Sequence, residues 1–326
     1  MPEKAMAIER ALDHGANGAV RPVMLAIAGD SATGKSTLTR GLVEALGPDR
    51  ITAICSDDYH RYDREERKTR TVTPLHPDGN YLGILEQHLQ LLSRGEPILK
   101  PVYDHTDGSL TRPQLVEPRP YVIVEGLHPL HTKLMRACFD VTVFMDPPEP
   151  LRRKWKIQRD TTHRGYTADE VLADLEKREP DSEAYIRPQR AHADIVVRFA
   201  PIEERGETLD DPLSALLLLR PTVPHPDLRS VITDDVRSAL HLKLTRDDDG
   251  KPVDALHIHA YGDKRLTADV EQTIWSCLDV SAQLPPVLGM FEDGHREEPM
   301  AMTQLILLYH LLAVREGRRP VGATGP

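Results

Sequence analysis

The residues with the clearest chemistry are Gly29-Asp30-Ser31-Ala32-Thr33-Gly34-Lys35-Ser36, followed by Thr37; they fit G-x-x-x-x-G-K-[ST]. Glycines let a backbone curl so that successive N–H groups face an anion. A helix that starts where such a loop ends adds its positive N-terminus. Lys35 is placed to reach the β and γ phosphates of a nucleoside triphosphate, and the Ser36 hydroxyl to ligate Mg2+. The fate of the phosphate stays open, because motors, switches and small-molecule kinases share this loop.

Acids and cations further along narrow the choice. Asp57-Asp58-Tyr59-His60 follows the apolar run Ile51–Cys55. An acid at the tip of a strand beside the phosphate loop can take the proton of an acceptor hydroxyl. Neighbouring strand residues point to opposite sides, so one of the two aspartates faces the phosphates. Which one is not decided by the pattern. Glu125 ends the apolar run Tyr121–Val124 and could hold Mg2+ or its water shell. Arg152, Lys156 and Arg159 recur at spacings of four and three, hence on one helix face. They could neutralise a transferring phosphoryl group from a lid.

The elements that must hold these residues are readable from apolar runs and periodicity. Val23–Ala28 stops at Gly29-Asp30 and reads as a buried strand, with a helix from the loop to about Leu46. Strands are expected at Ile51–Cys55, Tyr121–Val124, Val141–Met145 and Asp194–Phe199, and helices over Tyr81–Ser93, Pro148–Thr161 and Thr167–Glu179. This alternation means an α/β fold with a mostly parallel sheet flanked by helices. The pattern changes near Ala200, where prolines and acids surround LSALLLLR. Ala239–Thr245 and Val253–Ala260 read as a hairpin whose Asp247-Asp248-Asp249-Gly250 loop suits φ > 0 at the glycine. Helices near Ala268–Leu278 and Met300–Glu316 complete a smaller α+β C-terminal region. The expected division is an N-terminal extension over 1–20, a nucleotide-binding domain over 21–200 and the C-terminal region over 201–326.

Composition sets the boundaries of this reading. The chain of 326 residues has a net charge of −10, which argues against a protein that coats nucleic acid. It leaves room for a local basic pocket. The first residues are charged and lack an apolar signal segment, and the most apolar late run, Met302 to Val314, is shorter than the ~20 residues of a spanning helix. Cys55, Cys138 and Cys277 are too few and too odd in number for a disulfide framework. A cytoplasmic setting without a membrane is therefore expected.

GDSATGKST, CSDDYHRYDREERK, PVYDHTDG, VIVEGLHPL, WKIQRDTTHRG and YIRPQRAHADIVV occur in this order. Together they resemble the phosphoribulokinases of the plant and cyanobacterial class, within the uridine-kinase-like group of P-loop kinases. The resemblance covers about residues 22–200 and loosens beyond. It implies ATP-dependent phosphorylation of ribulose 5-phosphate, Mg2+ and a homodimer. It implies Asp57 as the base, and His60, Arg64 and Arg164 on the substrate side, with Tyr103 and His105 near the sugar. Lys156, Arg159 and Asp160 match a K-x-x-R-D motif, and Glu125 matches the acid after the Walker B-type strand. The physical reading agrees: a phosphorylated sugar is a dianion and needs cations outside the loop, such as Arg64 and Arg164. A uridine kinase-like or other sugar or nucleoside kinase, and a non-catalytic nucleotide-binding regulator, are the competing readings.

One departure from that class stands out. Its members carry a cysteine inside the phosphate loop that can pair with one just before the catalytic acid. Here Cys55 is present, but Thr33 stands in the loop, and the class's C-terminal cysteine pair is not recognisable. The resemblance then implies that a thiol switch lacks its partners and that activity changes little with redox conditions. Cys138, beside Phe139, is expected to be a small core residue.

Overall fold

The computed structural model describes residues 21–248, 250–278, 280 and 282–317. The expected N-terminal extension over 1–20 and the tail after Gly317 lie outside the described residues.

The run VMLAIAG forms β1 (Val23–Gly29), and every one of its residues is buried. A strand covered on both faces reads as such an unbroken apolar run. Helix α1 (Lys35–Leu46) starts after Gly34, which sits at φ 89° and ψ 7°, a left-handed position that glycine adopts without strain. Then come β2 (Ile51–Cys55), the short helix α2 (Arg64–Lys68) and α3 (Leu82–Leu92). A two-stranded ribbon, β3 (Ile98–Tyr103) and β4 (Leu110–Val116), precedes β5 (Tyr121–Gly126). Next are α4 (Lys133–Ala137), β6 (Val141–Met145), α5 (Glu149–His163), α6 (Ala168–Asp181) and β7 (Ile195–Ala200). The chain continues through β8 (Ser214–Leu219), α7 (Leu228–Val231), β9 (Leu240–Arg246), β10 (Pro252–Ile258), α8 (Lys264–Ser276) and α9 (Glu298–Gly317).

Eight strands make one sheet in the order β2-β5-β1-β6-β7-β8-β10-β9. The first five run parallel, with Val23 opposite Tyr121 and Leu25 opposite Val141. β8 then pairs antiparallel with β7, β10 with β8, and β9 with β10. The expected hairpin is present, with Gly250 in its loop at φ 75°. LSALLLLR, unassigned in the sequence reading, is β8.

Pairing reverses after Ala200, where the division was expected, but neither sheet nor core stops there. One apolar cluster joins Leu25 and Ile27 of β1, Leu38 and Leu42 of α1, Val197 of β7, Leu217 of β8, Leu256 of β10, Ile274 of α8 and Leu305 of α9. On the opposite face, Met24 and Val122 pack with Leu85 and Leu89 of α3, Ile98 of β3 and Met135 of α4. Helix α9 is buried almost all round from Glu298 to Leu312, as a helix apolar on every side must be. It lies directly on α1: a Cβ added at Gly41 would collide with the Gln304 side chain, whose Oε1 accepts from Gly289 N at 2.7 Å. No helix among the described residues is long and apolar enough to cross a membrane.

The ribbon was not foreseen. Pro101 and Pro113 interrupt its two strands, and the register shifts between Lys100 and Val102. Proline is confined to sheet edges and bulges, so here it marks an edge ribbon whose strands carry little periodic signal. β4 is exposed along most of its length, which removes the apolar alternation that would have shown it.

Candidate active site

The carboxyl ends of β1, β2 and β5 meet at one edge of the sheet, where ligands gather in open α/β folds. The 29–36 loop leaves β1 there. Ala32 has φ 62°, the only positive value of a non-glycine among the described residues. A left-handed residue with a Cβ costs about 1–2 kcal/mol and has to be held in place. The bonds that hold it are local. Thr33 Oγ1 donates to Asp30 O at 2.9 Å, and Lys35 Nζ donates to Gly29 O at 3.0 Å and Asp30 O at 2.6 Å. Asp30 Oδ1 accepts from Ser31 N at 2.6 Å and lies 3.4 Å from Arg152 Nη1, while Ser182 Oγ donates to Asp30 Oδ2. Ser182 opens the π-helical turn Ser182–Ile186 that follows Pro180, the residue that ends regular α-helix geometry in α6.

Ser36 Oγ donates to Glu125 Oε1 at 2.9 Å. The two oxygens are the donor types a hard divalent cation takes. Burial pushes the Glu125 carboxyl up, against the pull of Lys35 and the Ser36 bond.

Asp57 and Asp58 differ in their partners. Asp58 is occupied: it pairs with Lys100 and accepts from Tyr103 N at 3.0 Å, tying the β3–β4 ribbon to the turn after β2. Asp57 Oδ1 is buried with no hydrogen-bond partner. Burial alone would raise its carboxyl, yet His60, Lys35, His105 and His128 hold it below the usual carboxylate range.

Two cavities meet at Asp57. The larger, about 630 Å3, is lined by residues 31–37, Glu125, Trp155, Phe199 and Phe291. The smaller, about 210 Å3, is lined by His60, Arg64, Arg67, Tyr103, Lys156 and Arg178, among others. Ser31, Asp57, His105, Arg159 and Arg164 line both.

Short elements aim the cations of the smaller cavity. A capping box, Asp63 with Glu66, starts α2 and places Arg64 and Arg67 three residues apart on its first turns. Arg64 donates to His105 O at 2.9 Å, and Arg67 to the Tyr103 hydroxyl. The Tyr103 ring meets the His60 and His105 rings edge-on, each 5.0 Å away. His60 Nδ1 lies 2.7 Å from Asn80 Oδ1, and burial pushes its imidazole down to about 4.

On α5, Lys156 is buried and paired with Asp160 at 2.7 Å and Asp174 at 3.7 Å. Arg159 reaches Ser31 Oγ at 3.1 Å while its Nε bonds Asp160 at 2.8 Å. Arg164 stands 3.5 Å from the same carboxylate. The shared face expected for Arg152, Lys156 and Arg159 thus divides by partner: Arg152 bonds Glu149, and of the three only Arg159 and Lys156 line the cavities. Burial pushes Arg67, Lys156 and Arg164 below their ordinary values, and neighbouring cations push further, Arg178 on Lys156 and Arg159 on Arg164. Cations crowded this way are relieved by an anion bound among them.

The model of the phosphoribulokinase / uridine kinase family matches residues 24–204. The chain belongs to that family. It is similar to a phosphoribulokinase of Synechocystis sp., 41% identical over 200 residues, covering 61% of this chain and 59% of the relative. It is also similar to a chloroplastic phosphoribulokinase of Spinacia oleracea, 35% identical over 198 residues, covering 56% and 49%. The match therefore spans about half to three fifths of those relatives' own length. A uridine kinase of Enterobacter sp. is 34% identical over 185 residues, covering 54% of this chain and 86% of the relative. Among solved structures, a phosphoribulokinase from Rhodobacter spheroides shares the fold, with a TM-score of 0.57 at 17% identity, covering 79% of this chain and 95% of that one.

Arg67, Arg178, Asp174, Tyr166 and Lys100 were missed. The Asp63–Glu66 capping box could have revealed α2, and with it Arg67 on the turn of Arg64. Lys100 has no local signal, since its partner Asp58 is 42 residues away.

Proposed function

We propose that this chain transfers the γ-phosphoryl group of ATP to the O1 hydroxyl of D-ribulose 5-phosphate, giving D-ribulose 1,5-bisphosphate. The observation that carries this reading is Asp57, a carboxylate with a free buried oxygen where a phosphate-loop cavity meets one rich in arginine. An acceptor with its own phosphate needs that second set of cations; a nucleoside does not. The names of the Synechocystis and spinach relatives support the same substrate.

In this proposal ATP lies on Gly29–Thr37, with its triphosphate along the loop amides and Lys35. Ser36 and Glu125 would hold Mg2+, which neutralises charge on the transferring group when bound. Asp57 accepts the O1 proton as that oxygen attacks in line. Lys35 and Arg159 spread the developing charge, and the buried Lys156 acts through Asp160, which orients Arg159 and Arg164. His60, Arg64, Tyr103, His105 and Arg164 hold the sugar phosphate, with Arg67 and Arg178 added. Residues 21–200 carry the chemistry, and the described residues of the C-terminal region up to Gly317 buttress it and close one side of the phosphate-loop cavity. A homodimer joined through a sheet edge completes the proposal, β2 and β9 being the two edges.

The 86% coverage of the Enterobacter uridine kinase gives the second reading its footing. One coupled ADP-release assay with ribulose 5-phosphate and uridine as parallel acceptors separates the two. ADP release with the sugar phosphate alone is expected. Release with uridine alone makes the chain a nucleoside kinase, and release with neither makes it a nucleotide-binding regulator.

A further inference from the structure

Cys55 takes no part in the proposed transfer, yet its position is not that of an ordinary core thiol. It ends β2 opposite Glu125 in the parallel register and lines the phosphate-loop cavity. One ligand atom each from Cys55, Asp57 and His105 lie within 4.8 Å of one another, and the structure shows no other such trio of histidine, cysteine and acid among the described residues. Sulfur, nitrogen and carboxylate oxygen are the donor set of zinc-type ions. Tetrahedral ligands about 2.0–2.3 Å from a metal stand roughly 3.5 Å apart, so closure takes about an ångström of side-chain movement.

The three ligands come from two pieces that are tied together. Cys55 and Asp57 belong to the end of β2 and the turn after it; His105 belongs to the loop of the β3–β4 ribbon. Asp58 joins the pieces through Lys100 and Tyr103 N, and the His105 carbonyl is fixed by Arg64. Three protein ligands facing a cavity leave a fourth position for water.

We propose that Cys55, Asp57 and His105 form a site for a borderline-soft divalent cation of the Zn2+ class, whose binding stops phosphoryl transfer by occupying Asp57. The inhibition, though not the binding, rests on the function proposed above. The bound ion takes a thiolate and a carboxylate, and the thiol proton leaves to solvent, so the site changes charge by only one unit. Mg2+ does not compete, because it prefers an octahedron of oxygens and is served by Ser36 and Glu125. The chain thus holds a hard-cation position and a soft-cation position on adjacent strands, the first serving the reaction and the second closing it.

The test is a Co2+ titration of the full chain in excess Mg2+, read by absorbance. A sulfur-to-cobalt charge-transfer band saturating at one ion per chain, bleached by added Zn2+, is expected. The band should vanish in Cys55→Ser, lose intensity in His105→Asn, and persist in the Cys138→Ala/Cys277→Ser double variant. Absence of the band, or its survival in Cys55→Ser, overturns the site. If Cys55→Ser fails to fold, the His105→Asn spectrum and the double variant decide alone. Kinetics then read the consequence: Zn2+ should inhibit the sugar-phosphate-dependent ADP release, and Cys55→Ser should keep that activity while raising the half-inhibiting Zn2+ concentration at least about tenfold. Equal Zn2+ sensitivity in both proteins overturns the inhibitory role. Loss of the kinase reading would show instead as no ADP release in Mg2+ alone, with the cobalt band intact.

Discussion

Asp57, half-buried with its Oδ1 enclosed, and Asp247, fully buried, are carboxylates held below the ordinary range, one at the edge of the parallel strands and one in the antiparallel hairpin loop. They are held by different means. Asp247 accepts from Arg220 Nε at 2.9 Å, from Arg190 Nη1 at 2.8 Å and from Asp248 N at 2.7 Å. Against the upward push of burial, those bonds bring it to about 2. Arg220 also donates to the carbonyls of Arg190 and Ala193, so the network closes on itself. Asp57 is held low by the Lys35 ammonium and, only at acid pH, by the histidines around it, and its Oδ1 has no bond at all. A carboxylate saturated with donors has no lone pair left to give, whereas one stabilised from a distance can still take a proton. The same residue type serves structure in one place and is free for chemistry in the other.

Exchanging each acid for its amide would test that difference most severely. Asp57→Asn should lower turnover about 10²–10⁴-fold while ATP affinity and the melting temperature hold. Asp247→Asn should do the opposite, costing about 3–5 kcal/mol of stability, because Arg220 is left buried against an uncharged group, with turnover per folded molecule kept. Kinetics paired with denaturant midpoints on both proteins would check this. A turnover loss in Asp247→Asn beyond its unfolded fraction would erase the distinction.

A smaller effect sharpens the role of Asp58. Lys100→Met leaves that aspartate without its cation and loosens the ribbon that carries Tyr103 and His105. KM for the sugar phosphate should rise roughly tenfold, about 1.4 kcal/mol, with KM for ATP little changed. Equal changes in both constants would place the ribbon's influence on the phosphate loop instead.

A last effect is in pH. His60 is pushed to about 4 and His128 to about 3, both mainly by burial. Below pH 6.5 the unfolded chain takes up protons that the native imidazoles refuse, so stability falls as pH falls from 6.5 towards 4. Each group adds about 1.4 kcal/mol per pH unit. His310 and His257, at about 3 and 4, push the same way. Asp247 and Asp160, both at about 2, keep their contribution above the ordinary aspartate value and lose it as pH falls through 2. Urea midpoints at pH 7, 5.5 and 4 should decline steadily, and a flat profile down to pH 4 would contradict the histidine account.

The phosphate loop, the Asp57-Asp58 pair, Glu125 and the basic helix were readable because each is a local pattern tied to a strand end or a helical period. The relation between the two aspartates was not, since it depends on Lys100 and Tyr103 arriving from a proline-interrupted ribbon. The helical period correctly set Lys156 near Arg159, yet it could not show that Asp174 of the next helix also takes its charge. Asp30 looked like one more loop residue; its bond to Ser182 spans 152 positions and depends on the irregular turn after Pro180. Local chemistry is written in neighbouring letters, and the partners that restrain it are supplied by the fold.

The contact of Gln304 with Gly41 has a consequence for how the molecule is made. Helix α1 follows the phosphate loop and is translated before the helix that covers it, α9, the last described element in the chain. A nascent chain stopped before Glu298 would display the apolar faces of α1, β1 and β8, the surfaces a chaperone holds. The packing behind the phosphate loop is therefore complete only once α9 has been translated and has docked on α1.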